Sequence, residues 1–239
     1  MTSFDFIPSS ARHTWPGGDI VSRQSFPATG NFDLAANAFG LLMVHNDDVV
    51  SPGEGFDMHF HKDVEIVSWI VEGAVRHRDS GAEEETIVRA GMAQAITAGS
   101  GVNHAEVNAN GYSSGSFLRV IQCWLPTDIP NATPSHHSYD FNAALDAGGL
   151  VTVAGEGAPL QINTAGARMY AARLQGSDNR VAVPGAPFVH LFVVNGNVQA
   201  GDYDLAEGDV LRCRNLDADL PVSGQGEILV WGMDRSLNE

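Results

Sequence analysis

Two short pieces of the chain carry metal-binding residue types two positions apart: His59-Phe60-His61 and His104-Ala105-Glu106. In an extended strand successive side chains alternate faces, so His59 and His61 share one face, as do His104 and Glu106. If the two strands lie side by side, three imidazoles and one carboxylate converge. Such an N3O set suits a divalent first-row metal and leaves coordination positions open, as catalysis requires and a purely structural site avoids. Three imidazoles and a carboxylate buried together would be costly without a cation to face.

The elements that must position these residues read as strands. Val64, Ile66, Ser68 and Ile70 fall on one parity and Glu65, Val67, Trp69 and Val71 on the other, the pattern of a strand buried on both faces. Ala74–Asp79 follows, then a polar turn over residues 80–85, Thr86-Ile87-Val88, and Met92–Thr97, which runs into the glycine-rich approach to His104. Phe117–Leu125 is a further strong strand, stopped by Pro126. The first 50 residues read as short extended pieces between turns, with no sustained helical period. On this reading His77 points outward from its strand, with orientation of a ligand as its alternative role.

Residues 126–160 differ in character, with Pro126, Pro130, Pro134, the pair His136-His137 and several glycines. They read as a crossover and linker with one helical turn at 142–145, a domain boundary near 140–155, and His136-His137 in an exposed loop. After them the pattern recurs. Phe188–Val198 matches Glu65–Val75 in kind, and Leu205–Val210 echoes Val88–Ala93, with a spacing of 12 from one turn glycine to the next (196 to 208) where the first copy has 18 (73 to 91). The second copy has Ala186-Pro187-Phe188 where ligands would stand. Its His190 is isolated and reads as a packed or surface residue. The expectation is an all-β protein of two packed barrels, residues 1–140 with the metal and residues 141–239 without one.

Composition narrows the function classes. The 239 residues carry 13 Lys and Arg against 29 Asp and Glu, a net charge of −16, which argues against direct nucleic-acid binding. The chain is 44% hydrophobic and 18% charged, as expected of a folded protein. No leader or spanning segment is read, so the expectation is a cytoplasmic protein with no membrane partner. Two cysteines, Cys123 and Cys213, read as buried free thiols.

The chain resembles the pirin family of two-domain cupins. The resemblance lies in Asn46-Asp47-Asp48-x-Val50-x-Pro52-Gly53-x-Gly55-Phe56-x-Met58-His59-x-His61-x-Asp63-x-Glu65-Ile66-Val67, in Glu72-Gly73-x-Val75-x-His77-Arg78-Asp79-Ser80, in Thr97-Ala98-Gly99-x-Gly101-x-x-His104-x-Glu106, and in Gln122-x-Trp124-Leu125-Pro126. It is close over residues 39–126 and looser beyond. It implies two cupin-type barrels of the double-stranded β-helix or jelly-roll kind. It also implies one mononuclear metal in the first barrel, commonly Fe(II), with Ni, Mn, Cu, Co or Zn as alternatives. By position the ligands are His59, His61, His104 and Glu106, and no residues are assigned to an organic cofactor.

Glu65 competes with Glu106, because in germin-type cupins a glutamate soon after His-x-His is a ligand and Glu65 has the parity of His59 and His61. Glu106 is favoured, since Glu65 lies about 13 Å along an extended strand from His61; Glu65 then supports the pocket or ends the strand. The resemblance implies a dioxygenase acting on flavonols such as quercetin. There the substrate hydroxyl and carbonyl chelate the metal, and Glu106 serves as both ligand and base. The alternative it implies is a metal- or redox-dependent regulatory protein that binds a transcription or metabolic partner without turnover.

Overall fold

The computed structural model describes residues 1–28, 33–80 and 84–238. Residues 81–83 of the expected polar turn lie outside them. The described strands form three antiparallel sheets. In the first barrel a seven-stranded sheet runs in the order Ser135–Asp140, Met92–Thr97, Val64–Glu72, Leu118–Pro126, Val44–Val50, Ile20–Gln24 and His13–Pro16. Facing it is a four-stranded sheet of Gly55–His61, Val102–Asn108, Ala74–Asp79 and Thr86–Arg89. The second barrel is built from one seven-stranded sheet dominated by the long strands Ala167–Val183, Phe188–Ala200 and Leu220–Met233. Among the described residues no helix is long and apolar enough to cross a membrane.

The strand Val64–Glu72 is buried on both faces, as its two apolar parities require. Its inner side chains Ile66 and Ile70 fall in two small apolar clusters of the first barrel. Its outer side chains Val67 and Trp69 join the largest apolar cluster, with Ile121, Cys123 and Leu125 from the same sheet and Phe192, Trp231 and Met233 from the second barrel. Each such side chain contributes roughly 1.5–3 kcal/mol when removed from water. The sheet that faces the strands carrying His59, His61, His104 and Glu106 is thus backed by the other barrel. Polar links cross the same junction: the Trp69 indole donates to Glu227 at 2.8 Å, and Arg119 pairs with Asp47 through Nε and Nη2 at 2.8 and 2.9 Å while reaching Glu207 at 2.9 Å.

The duplication read from the turn glycines has a structural counterpart. Gly73 and Gly196 both adopt left-handed φ, 76° and 79°. A Cβ at either would lie 2.6 or 2.1 Å from the carbonyl oxygen of a neighbouring strand, Phe117 or Gln225, so both positions exclude a side chain for the same reason.

One feature differs from expectation and two others refine it. Residues 135–140 form a paired strand ahead of the short helix Asn142–Asp146, because His136-His137 completes the edge of the first sheet beside Met92–Thr97. Ser3–Ile7 pairs with Val210–Arg214, so strand pairing assigns these residues to the second barrel, where a cut at residue 140 would leave them in the first. His190 is fully buried at the junction of the barrels, its ring 4.7 Å from that of His45. Cys123 and Cys213 are buried free thiols, and burial pushes both up to about 12.

Candidate metal centre

The strands Gly55–His61 and Val102–Asn108 are direct neighbours. Their register places His59 opposite His104 and His61 opposite Val102, then shifts so that Phe56 stands opposite Glu106. Asp57 and Met58 thus stand against Ala105 alone, a β-bulge that re-aims the side chains beyond it. Gly55 makes the close approach possible, since a Cβ there would lie 2.3 Å from the Glu106 carbonyl oxygen. Within the bulge the Asp57 carbonyl accepts from His59 Nδ1 at 2.6 Å, which leaves Nε2 as the free ligand atom.

The three rings lie 4.5 to 5.1 Å apart between centroids. Ligand atoms of His59, His61 and His104 fall within 4.8 Å of one another, and so, as a second group, do those of His77, His104 and Glu106. His104 is shared, so the two groups are adjoining parts of one cluster. His61 Nε2 and both ring nitrogens of His104 are buried with no hydrogen-bond partner in the protein. Burial, followed by the neighbouring imidazoles, depresses His61 to about 4 and His104 to about 3, so both are neutral near pH 7, the form that binds metal. The donor set fits a cation: it offers unpartnered imidazole nitrogens and a buried carboxylate.

Glu106 is set deeper, 4% exposed. Burial pushes it up to about 7, against the opposing hydrogen bonds of Gln122 and Gln94. Gln122 Nε2 donates to Glu106 Oε2 at 2.9 Å and Gln94 Nε2 donates to Glu106 Oε1. These amides belong to a row of directly paired residues across the inner face of the large sheet: Gln94, Ser68, Gln122, Asn46 and Gln24. The row separates the two small apolar clusters of the barrel. Its trace in the sequence is a polar residue flanked two positions away on both sides by apolar ones of the same parity, Ser68, Gln94 and Gln122, a signal left unread above.

Two histidines lie where they were not expected. His77 is 1% exposed and faces inward, 5.3 Å from the His104 ring. His136 stacks on it at 3.9 Å with nearly parallel planes, and bonds to Gln94 Oε1 at 3.0 Å. Asp79 Oδ1 lies 3.0 Å from His77 Nε2. Together they form one wall of a cavity of about 510 Å3 lined also by Ser80, Thr86 and Gly101. A larger cavity of about 810 Å3, lined by Asp128, Tyr170 and Asp234 among others, contains none of the candidate ligands.

Glu65 is not part of the cluster. It lies fully buried on the outer face of its strand, accepting from the Thr97 hydroxyl at 2.7 Å on the side of Asn163 and Thr127. The turn at Lys62-Asp63, with Asp63 at φ 50°, breaks the strand between His61 and Glu65, so their common parity carries no common face.

The sequence model of the Pirin family matches residues 11–125. A Mycobacterium tuberculosis protein provisionally named a quercetin 2,3-dioxygenase is 37% identical over 226 residues, covering 92% of this chain and 91% of its own. The chain belongs to the pirin family. The quercetin 2,3-dioxygenase of Escherichia coli K12 is 36% identical over 133 residues, 56% of this chain and 54% of that one. Among solved structures, the bacterial pirin YhhW of Escherichia coli in complex with nickel(II) superposes with a TM-score of 0.85 at 26% identity, covering 98% of this chain and 100% of that one. The pirin assignment makes this a member of a metal-binding cupin family, with the cluster above as its candidate for a divalent ion.

Proposed function

We propose that the protein is a mononuclear metal-dependent dioxygenase of small aromatic substrates, with flavonols such as quercetin as the substrate class. His59, His61, His104 and Glu106 would hold the metal, residues 1–140 forming the metal-binding unit and residues 141–239 its support. The observation that carries the reading is the set of facing imidazole nitrogens without partners, with one buried carboxylate behind them. The names of the relatives point the same way. A bound first-row ion would supply Lewis acidity and a site for dioxygen chemistry, with iron the first candidate and nickel, manganese, copper, cobalt or zinc compatible with the donors.

The residues of the chain do the remainder. Neutral His61 and His104 present lone pairs at neutral pH because burial resists their protonation. His59 is oriented by the Asp57 carbonyl. Burial raises Glu106 in the metal-free chain, and it is the carboxylate that would accept the hydroxyl proton of a phenolic substrate. Val50, Phe56, Val75, Leu118 and Val120 make an apolar wall beside Glu106 and Gln122 that excludes water from that carboxylate. The test is oxygen uptake with quercetin by the metal-loaded protein, alongside elemental analysis. Turnover that is lost in His59→Ala supports the reading. A fully metal-loaded protein that turns over no flavonol overturns the enzymatic part.

A further inference from the structure

The two amides that hold Glu106 are themselves held, by partners of different kind. The Trp124 indole N–H donates to Gln122 Oε1 at 2.9 Å. An indole nitrogen can only donate, so Gln122 must turn its oxygen to Trp124 and its NH2 to Glu106. On the other side, Gln94 Oε1 faces His136 Nε2 at 3.0 Å. An imidazole can donate or accept at that nitrogen according to its tautomer, so this arm can reverse. Glu106 therefore has one arm of fixed polarity and one that can adapt. Trp124 also packs edge-on against His61, ring centroids 4.8 Å apart, and so reaches one candidate ligand directly and another through Gln122.

We infer that Trp124 is a positioning residue for the metal site, acting through Gln122 to fix which oxygen of Glu106 is engaged and which way the carboxylate faces. The inference rests on the reading of Glu106 as a ligand. Gln122 occupies one lone pair of Oε2 and does so with a single possible orientation. Removing the indole donor lets the Gln122 amide rotate and leaves the carboxylate with the adaptable arm alone. Partners that orient a ligand are typically worth 10–100-fold in metal affinity, and this effect should fall in that range.

The probe is Co(II), titrated into the metal-free full chain against a competing chelator, with the visible d–d spectrum recorded at saturation. Four proteins are compared with the parent: Trp124→Phe, Gln122→Met, the double variant and Glu106→Ala, each checked for a parental thermal transition before titration. Phenylalanine keeps a ring against His61 and removes only the donor. The expected result is that Trp124→Phe weakens Co(II) about 10-fold and alters the spectrum, that Gln122→Met does at least as much, and that the double variant is no weaker than Gln122→Met. If the two effects multiply, Trp124 acts through its packing on His61 and the inference is overturned. Parental affinity and spectrum in Trp124→Phe overturn it equally, and Gln122→Met decides the matter if Trp124→Phe does not fold, since parental behaviour there leaves the arm without effect. Parental affinity in Glu106→Ala instead sinks the assignment of Glu106 as a ligand, a separate failure.

Discussion

The two barrels share a fold and a turn pattern but fill their interiors differently. The second is packed with aliphatic side chains, Leu174, Val183, Leu191, Leu211, Val222 and Ile228 among them, in one continuous cluster. The first has its apolar interior divided into two smaller clusters by the row of Gln94, Ser68, Gln122, Asn46 and Gln24. Polar side chains buried at that cost need partners or a ligand. Ser68 Oγ, Asn46 Oδ1 and several imidazole nitrogens have none within the protein. The difference teaches that one barrel gives up packing to make room for the candidate ligand cluster while its copy, filled, braces the back of the same sheet.

The comparison breaks most visibly on metal content. The parent should bind about one divalent ion per chain, His104→Ala none, and His190→Ala the parental amount, measured by elemental analysis after loading and desalting. Two ions per chain, or loss of metal in His190→Ala, would mean that the second barrel also holds a site.

Stability should respond in the opposite sense. Leu191→Ala removes a fully buried side chain from the filled barrel and should cost about 2–5 kcal/mol in denaturant unfolding of the metal-free protein. Ser68→Ala in the polar row removes a hydroxyl that has no partner in the protein and should change stability by less than about 1 kcal/mol. Equal losses at the two positions would erase the contrast.

The junction between the barrels has its own pH dependence. Burial first, and then Arg12 and Arg212, hold His45 and His190 well below the ordinary histidine value. The unfolded chain takes up these protons below about pH 6.5 and the folded chain does not, so the stability they permit is present above that pH and falls as pH drops further. His45→Phe in the metal-free protein should flatten that fall by up to about 1.4 kcal/mol per pH unit between pH 6 and 5. An unchanged slope would show that His45 is accessible to protons in the folded state.

The smallest effect is expected at Glu65. Its carboxylate accepts from Thr97, its partner on the adjacent strand of the same sheet, so Glu65→Gln should leave Co(II) affinity within about twofold of the parent, because a position outside the ligand cluster lacks the leverage of an orienting partner. Loss of metal there would transfer the carboxylate ligand from Glu106 to Glu65.

What the sequence made legible follows from how far each signal reaches. Strands buried on both faces and the repeated turn glycines express themselves over a few residues, and the structure has each of them; the two ligand segments converge in the sequence only on the condition that their strands meet, and they do. Parity, however, counts only within one strand. It failed from His61 to Glu65 because the turn at Asp63 resets the face. It could not show the bulge between His59 and Phe56, which exists only as a register with the opposite strand. His77 and His136 were misplaced for a related reason: the face that each presents is decided by sheets assembled from distant segments, and Pro134 beside His136 favoured a loop in local terms.

The pairing of Ser3–Ile7 with Val210–Arg214 bears on how the protein is made. On the ribosome these early residues emerge long before the strand they complete. At about 5–20 residues per second, roughly 10–40 s pass between the two. In that interval the second barrel cannot close its edge. The exposed side chains of Phe4 and Phe6 remain on an unpaired strand with the capacity to join a wrong neighbour. Closure of this edge is an order-dependent event with a large sequence separation, and it should be among the late steps of folding, after the first barrel has formed from contacts nearer in the chain.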